Sequence, residues 1–187
     1  MLSTLAVGFF VDWSGQGHNL FNYFGYFTNL TSLLAALTFI VTGAIALAGR
    51  SSPYPLVLAR AVATTCLLLV AVVYNGFVPG TGSAPPWVSV LLHFVYPTTV
   101  VLDWILISDR LRPAWSQLWW VFPYPLVWMA VVLLRGTLDG WVPYGFLLPD
   151  RGILALVLTT AGLVGLLLIA GSLVWVLSRV CKGPHRV

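Results

Sequence analysis

The chain has 187 residues, of which 59% are hydrophobic and 7% are charged. A soluble domain carries about 25% charged residues, so this chain cannot cover its surface with polar groups, and its mean hydropathy of +0.95 excludes an ordinary soluble fold. The net charge of +4 is spread over short loops and the C-terminal tail, which argues against a nucleic-acid-binding face. The composition therefore predicts an integral membrane protein, with no nucleic acid as a partner.

Six apolar stretches follow one another along the chain. The first, residues 1–11, would extend only about 16 Å as a helix, so we expect a short or truncated helix that does not cross the ~30 Å hydrocarbon core. The next five are long enough to span a bilayer, and turn-forming residues separate them: residues 22–48, 55–78, 87–108, 116–135 and 153–178. The sequence thus predicts an all-α fold, a polytopic transmembrane helix bundle in which residues 1–187 form a single domain.

The basic residues predict the orientation of this bundle, because Lys and Arg resist translocation and accumulate in cytoplasmic loops. Seven of them fall at one end, in the loops near 49–60 and 109–113 and in the tail. Only Arg135 and Arg151 fall at the other end. We therefore expect the C-terminus in the cytoplasm and the loops at 79–86 and 136–152 outside.

The two cysteines, Cys66 and Cys181, are far apart in the sequence. No spacing typical of metal ligands occurs, so no metal site and no other cofactor is predicted. Cys181 lies beside a predicted helix end and near basic residues, which makes it a candidate for palmitoylation.

Polar side chains inside the predicted spans mark a candidate site, because they are costly in hydrocarbon and usually face a bundle interior. Counted inward from the external helix ends, Thr28 and His93 each lie about 9 Å deep. Tyr74 and Asn75 lie near the external end of their span, and Arg135 closes another span on that side. These groups belong to four helices and can line one pocket that faces outward.

Each of these residues also has a structural interpretation. The hydroxyl of Thr28 can bond a carbonyl one turn back, and His93 can bridge two helices. Tyr74 and Asn75 can serve as packing contacts or interface anchors, and Arg135 can be a snorkelling residue.

Asp103 lies within a span, where an aspartate needs a partner. It follows His93 by ten residues and so lies about 15 Å deeper, too far for a direct hydrogen bond to the imidazole. We expect it at the cytoplasmic interface, where Arg110 or Arg112 would neutralise it.

Thr28 and His93 suit nucleophilic catalysis, because a threonine hydroxyl becomes a nucleophile when a neighbouring neutral imidazole takes its proton. The sequence identifies no third residue to orient the imidazole, and neither G-x-S-x-G nor H-E-x-x-H occurs. A non-catalytic pocket or small transporter for a lipid or small solute is the alternative interpretation. A structural subunit of a larger membrane complex is another.

Three stretches carry a family resemblance: FGYFTNLTSLL (24–34), LLHFVYPTTVVLDWIL (91–106) and YPLVWMAVVLLRGTLDGWVPYGFL (124–147). In this order they resemble the androgen-induced-gene class of six-helix membrane proteins and their bacterial relatives, over roughly residues 20–150. The resemblance implies a six-helix fold in a bacterial plasma membrane. It also implies hydrolysis of fatty acid esters of hydroxy fatty acids by a threonine nucleophile and a histidine within the membrane.

Carried over by position, the family's threonine falls on Thr28, its histidine on His93 and an acidic residue on Asp103. The polar run after the threonine is shorter here than in bacterial relatives, so Thr31 or Ser32, one turn below, is a substitute nucleophile.

The sequence as a whole predicts a threonine-dependent lipid-ester hydrolase whose partner is a membrane lipid or fatty-acyl ester. The residues expected to contact the substrate are Asn29, Tyr74, Asn75 and Arg135. Among them, Asn29 or Asn75 would hydrogen-bond the oxyanion that forms during ester cleavage.

Overall fold

The computed structural model describes residues 1–11, 19–81, 84–106 and 111–180. Arg110 and Cys181, to which the sequence assigned candidate roles, lie outside these ranges. Within them the chain forms eight α-helices: α1 (Leu2–Phe10), α2 (Leu20–Gly25), α3 (Phe27–Leu47), α4 (Tyr54–Phe77), α5 (Pro86–Val90), α6 (Tyr96–Leu106), α7 (Pro123–Leu138) and α8 (Ile153–Val180). The predicted all-α helical bundle is confirmed.

Five helical segments are long and apolar enough to cross a membrane, with 21 to 28 residues each. Three of them are α3, α4 and α8. In the fourth, a π-helical turn (Leu91–Val95) joins α5 to α6, and in the fifth a 3-10 helix (Trp115–Val121) leads into α7. Apart from the first predicted span, the observed limits agree with the predicted ones to about three residues. Helix α1 has 9 residues, as the short stretch at the start predicted.

The predicted span 22–48 is two helices rather than one. Tyr26 separates α2 from α3 with an extended backbone (φ −68°, ψ 124°), and the Asn19 side chain caps α2 by accepting from the N–H groups of Phe21 and Asn22. Thr28 therefore lies in the first turn of α3, where backbone N–H groups have no partner inside the helix. The depth count for Thr28 had assumed a helix running unbroken from residue 22, which is incorrect.

Helix α4 is the centre of the bundle. In its most apolar window 61% of the residues are buried within the protein, against 28% or less for the other four spans. It packs on α3, α6, α8 and the 3-10 helix. Ala61 and Ala63 are fully or almost fully buried on α4, and small residues of this kind let membrane helices approach closely.

An ion pair between Arg60 of α4 and Asp103 of α6 lies inside the bundle. The Arg60 side chain is 2% exposed and that of Asp103 16% exposed, and the guanidinium also lies over the Phe39 ring of α3, 5.4 Å from its centroid. The sequence analysis expected Arg110 or Arg112 as the partner of Asp103. Arg110 lies outside the described residues, and the partner that the structure shows is Arg60, on a neighbouring helix.

Arg60 lies within α4 and is not one of the loop residues on which the predicted orientation depends. Its removal leaves six basic residues at that end against two at the other, so the sign of the charge difference is unchanged. The cytoplasmic location of the C-terminus stays a prediction.

We predict that Asp103→Asn lowers the free energy of unfolding by about 3–5 kcal/mol, because it leaves the buried charge of Arg60 without its counter-ion. Unfolding of the purified protein in mixed micelles, titrated with sodium dodecyl sulfate, measures the change. Thr99→Val, an exposed position on the same helix, is the control and should change stability by less than about 0.5 kcal/mol. The double variant Arg60→Met/Asp103→Leu should recover most of the loss, and no recovery would contradict the assignment.

Candidate functional site

A cavity of about 550 Å³ lies at the end of the bundle where α3 begins. This volume is in the range of small-molecule sites. Polar side chains from three spans form one part of its wall: Thr28, Asn29, Tyr74, Ser89 and His93. Apolar side chains of α7 and α8 form another part: Leu126, Met129, Leu163, Val164 and Leu167.

Thr28 and His93 meet on the polar wall. The Thr28 Oγ1 atom lies 3.5 Å from His93 Nε2, so the proximity that the sequence predicted is confirmed. This distance is long for a hydrogen bond, as catalytic contacts often are before a substrate binds and tightens them. The arrangement provides a hydroxyl and a base within reach of each other, as nucleophilic catalysis requires.

The imidazole of His93 is oriented by its contacts with α5 and α4. Its Nδ1 atom lies 2.9 Å from the Ser89 carbonyl oxygen, which can only accept a hydrogen bond, so the proton belongs on Nδ1 and the lone pair of Nε2 faces Thr28. The Ser89 hydroxyl lies 3.2 Å from Nδ1 and donates to the Tyr74 hydroxyl at 2.6 Å. The Tyr74 ring stacks on the imidazole, with centroids 3.6 Å apart. Sequence reasoning found no orienting group because the main one is a backbone carbonyl.

His93 lies in the π-helical turn, a feature that the sequence analysis missed. The Tyr96 N–H bonds the Leu91 carbonyl five residues earlier, and Pro97 has no N–H to give to the His93 carbonyl four residues before it. The Asn75 side chain donates to that carbonyl at 3.0 Å and to the Ala71 carbonyl at 2.8 Å. Asn75 therefore completes the backbone of the turn, and it does not line the cavity.

Asn29 lines the cavity, but its amide donates to the Tyr23 carbonyl at 2.9 Å. The substitute nucleophiles Thr31 and Ser32 are fully buried and do not line the cavity. Thr31 instead lies 2.9 Å, Oγ1 to hydroxyl, from Tyr124. Of the three hydroxyl residues, the structure places Thr28 beside the imidazole.

Arg135 does not line the cavity. Its contacts with Asn22, Asp139 and Trp141 form a group that we call the clamp. Arg135 donates to Asn22 Oδ1 at 2.9 Å, pairs with Asp139 at 2.9 Å and lies over the Trp141 ring at 4.2 Å. The Trp141 N–H and the Arg135 guanidinium hold the pKa of the Asp139 carboxyl below its ordinary value. The clamp fixes the loop after α7 to α2.

Backbone groups at the break between α2 and α3 also find partners in this loop and in α7. The Trp128 indole donates to the Gly25 carbonyl at 2.9 Å, and the Thr28 N–H donates to the Tyr144 hydroxyl at 3.5 Å. The Trp141 ring lies where a Cβ on Gly25 would be, so only glycine allows this approach. The loop therefore covers the start of α3.

Among the described residues, no His, Cys, Asp and Glu side chains cluster so that they could hold a metal ion. Comparison with protein-family models, with curated proteins and with solved structures finds no match for this chain. The function of the site is therefore argued from its geometry, and the family resemblance stays a prediction based on three sequence stretches.

We predict that Asn75→Leu lowers the free energy of unfolding by about 1–3 kcal/mol, because the His93 carbonyl loses its donor. The same titration in mixed micelles measures it. Adding Pro97→Ala restores a backbone N–H four residues after His93 and should recover most of the loss. If Pro97→Ala is equally stabilising with and without Asn75→Leu, the two residues are not coupled through this carbonyl and the assignment is wrong.

Proposed function

We propose that this protein is an intramembrane lipid-ester hydrolase with a threonine nucleophile. The observation that supports it most is the approach of Thr28 Oγ1 to His93 Nε2, 3.5 Å apart, on the wall of a cavity that has polar and apolar parts. The resemblance to the androgen-induced-gene class implies the same two residues.

In the first half of the reaction, Thr28 Oγ1 attacks the carbonyl carbon of an acyl ester and its proton passes to His93 Nε2. The tetrahedral adduct then collapses, the ester C–O bond breaks and the leaving alkoxide takes the proton from the imidazolium. The alcohol departs and the acyl group remains on Thr28. The contact of Nδ1 with the Ser89 carbonyl supports the imidazolium, because Nδ1 continues to donate there.

In the second half, His93 takes a proton from water, and the resulting hydroxide attacks the acyl carbon. The bond from the acyl carbon to Thr28 Oγ1 breaks, and the imidazolium returns its proton to this oxygen. A fatty acid leaves and the site is restored. Every atom that moves belongs to the substrate, to water or to the two side chains.

The apolar wall suits a fatty-acyl chain. Helices α7 and α8 both line the cavity with apolar side chains, through Met129 on α7 and through Leu163 and Leu167 on α8. The outer faces of both helices are apolar and exposed, at Val127 and Leu168 for example. We propose that an ester enters sideways from the surrounding leaflet and that its chain lies between these helices.

We predict that Thr28→Ala and His93→Ala each lower kcat for a long-chain ester by about 10²–10⁴-fold, because one loses the nucleophile and the other the base. Hydrolysis of 4-methylumbelliferyl oleate by the purified protein in micelles measures this. Thr31→Val, one turn below, is the matched control and should stay within about threefold of the unmodified protein. Full activity in both alanine variants would rule out the catalytic pair.

We predict that Leu163→Trp lowers kcat/KM for a 16-carbon acyl ester by about 10–100-fold and leaves that for a 4-carbon ester nearly unchanged, because the indole fills the apolar part of the cavity. The ratio of the two values is the measurement. Leu168→Trp, on the exposed side of α8, is the control. An equal loss for both esters would show that the acyl chain does not lie in the apolar part of the cavity.

A non-catalytic lipid or solute binder is the second candidate function. Broken helices at a cavity are typical of membrane transporters, and here α2 and α3 separate at Tyr26 while a 3-10 helix precedes Pro123. A fluorophosphonate probe separates the two candidates. Labelling of Thr28 that His93→Ala abolishes supports the hydrolase, whereas no labelling together with lipid retained through purification supports the binder.

A further inference from the structure

The loop after α7 brings one tyrosine to the site that the proposed reaction has not used. Tyr144 lines the cavity, and its hydroxyl accepts a hydrogen bond from the Thr28 N–H at 3.5 Å. His93 approaches Thr28 from the π-helical turn, so two different parts of the fold converge on this threonine.

The contacts of the Tyr144 hydroxyl define what it can still do. A backbone N–H can only donate, so the phenol oxygen is the acceptor in its contact with the Thr28 N–H, and the phenol proton is available to another group. Burial raises the pKa of Tyr144 above its ordinary value, so the phenol keeps that proton at neutral pH. A protonated phenol beside a nucleophile is a hydrogen-bond donor for charge that forms there.

The ring of Tyr144 is held by aromatic neighbours. It stacks on Phe146 with an interplanar angle of 3° and meets Tyr26 edge-on, with ring centroids 5.7 Å apart. Trp128 packs against it from α7. Donors fixed in advance stabilise a transition state better than donors that must move, because no reorganisation is needed during the reaction.

We propose that the Tyr144 hydroxyl donates a hydrogen bond to the carbonyl oxygen of the acyl group that Thr28 attacks. This inference rests on the proposed hydrolase function. As the bond between Thr28 Oγ1 and the acyl carbon forms, the electron pair of the C=O double bond moves to the oxygen, and Tyr144 stabilises that charge without giving up its proton. When the adduct collapses, the pair returns and the ester C–O bond breaks.

The proposal assigns to Tyr144 the role that the sequence assigned to Asn29 or Asn75. Asn75 donates both amide N–H groups to backbone carbonyls and does not line the cavity. Asn29 lines the cavity and donates one of its two amide N–H groups to the Tyr23 carbonyl. The sequence signal for Tyr144 was its place in the WVPYGFL stretch, at residues 141–147.

The test uses Tyr144→Phe, which removes the hydroxyl and keeps the ring. In the purified full-length protein we expect kcat for 4-methylumbelliferyl oleate to fall about 10²–10³-fold while KM changes less than about threefold. A long-chain alkyl trifluoromethyl ketone, which forms a tetrahedral adduct with an oxyanion, should bind about 10²-fold more weakly. The matching alkyl ether, which forms no adduct, should bind Tyr144→Phe and the unmodified protein equally well. The control variant is Tyr54→Phe, at the end of α4 that does not line the cavity, and it should leave these values unchanged.

The outcomes distinguish a failure of the proposed hydrolase function from a failure of the role assigned to Tyr144. If the unmodified protein neither hydrolyses the ester nor binds the ketone more tightly than the ether, the hydrolase function is wrong and this inference with it. If the unmodified protein is active and Tyr144→Phe keeps its kcat and ketone affinity within about threefold, only the role of Tyr144 is wrong. Equal weakening of ketone and ether would show that Tyr144 merely shapes the cavity. If Tyr144→Phe does not fold, 3-fluorotyrosine at position 144 keeps the hydroxyl and makes it more acidic. We then expect kcat to fall at a lower alkaline pH than in the unmodified protein, because the phenol loses the proton that it donates, and an unchanged pH profile would contradict the role of Tyr144.

Discussion

Lipid offers no hydrogen bonds, so every backbone group that a helix break releases must find a partner inside the protein. This chain breaks its helices at Tyr26 and around Pro97. The groups released there are bonded by side chains of other helices and loops: Trp128 reaches the Gly25 carbonyl, Tyr144 the Thr28 N–H and Asn75 the His93 carbonyl. The requirement for these partners ties α2, α3, α4 and α7 together around one cavity.

The same irregular segments create the chemistry of the candidate site. A regular helix bonds its backbone groups internally, whereas the break before α3 places Thr28 in a first turn, where its N–H has no partner within the helix and bonds the Tyr144 hydroxyl. The π-helical turn carries His93, whose ring bonds the Ser89 carbonyl, and such turns are frequent at functional sites. The regular parts of the bundle, above all α4, position these segments.

The sequence predicted local properties of the chain better than contacts between residues that are distant in the sequence. Hydropathy predicted the spans because burial in lipid needs only length and apolar character. The pairing of Thr28 with His93 was also predicted, from polar residues near one end of the bundle together with the family resemblance. The break at Tyr26 was not, because the turn-forming residue beside it is a single glycine, Gly25, and glycines such as Gly43 also lie inside the spans. The Ser89 carbonyl, a backbone group, and the partner of Asp103, on another helix, could not be read from side-chain spacing.

The ion pair within the bundle has a consequence for the order in which the chain is made. Arg60 leaves the ribosome 43 residues before Asp103, so α4 reaches the membrane with a bare positive charge. A lone charge costs about 2.5–3.5 kcal/mol at the centre of an inserting helix and less toward an end, where Arg60 lies as the seventh residue of α4. The translocation machinery must therefore retain α4, or let its arginine reach toward water, until α6 emerges with the carboxylate. The central helix of the bundle therefore settles into lipid only after α6 has emerged, although it precedes α6 in the chain.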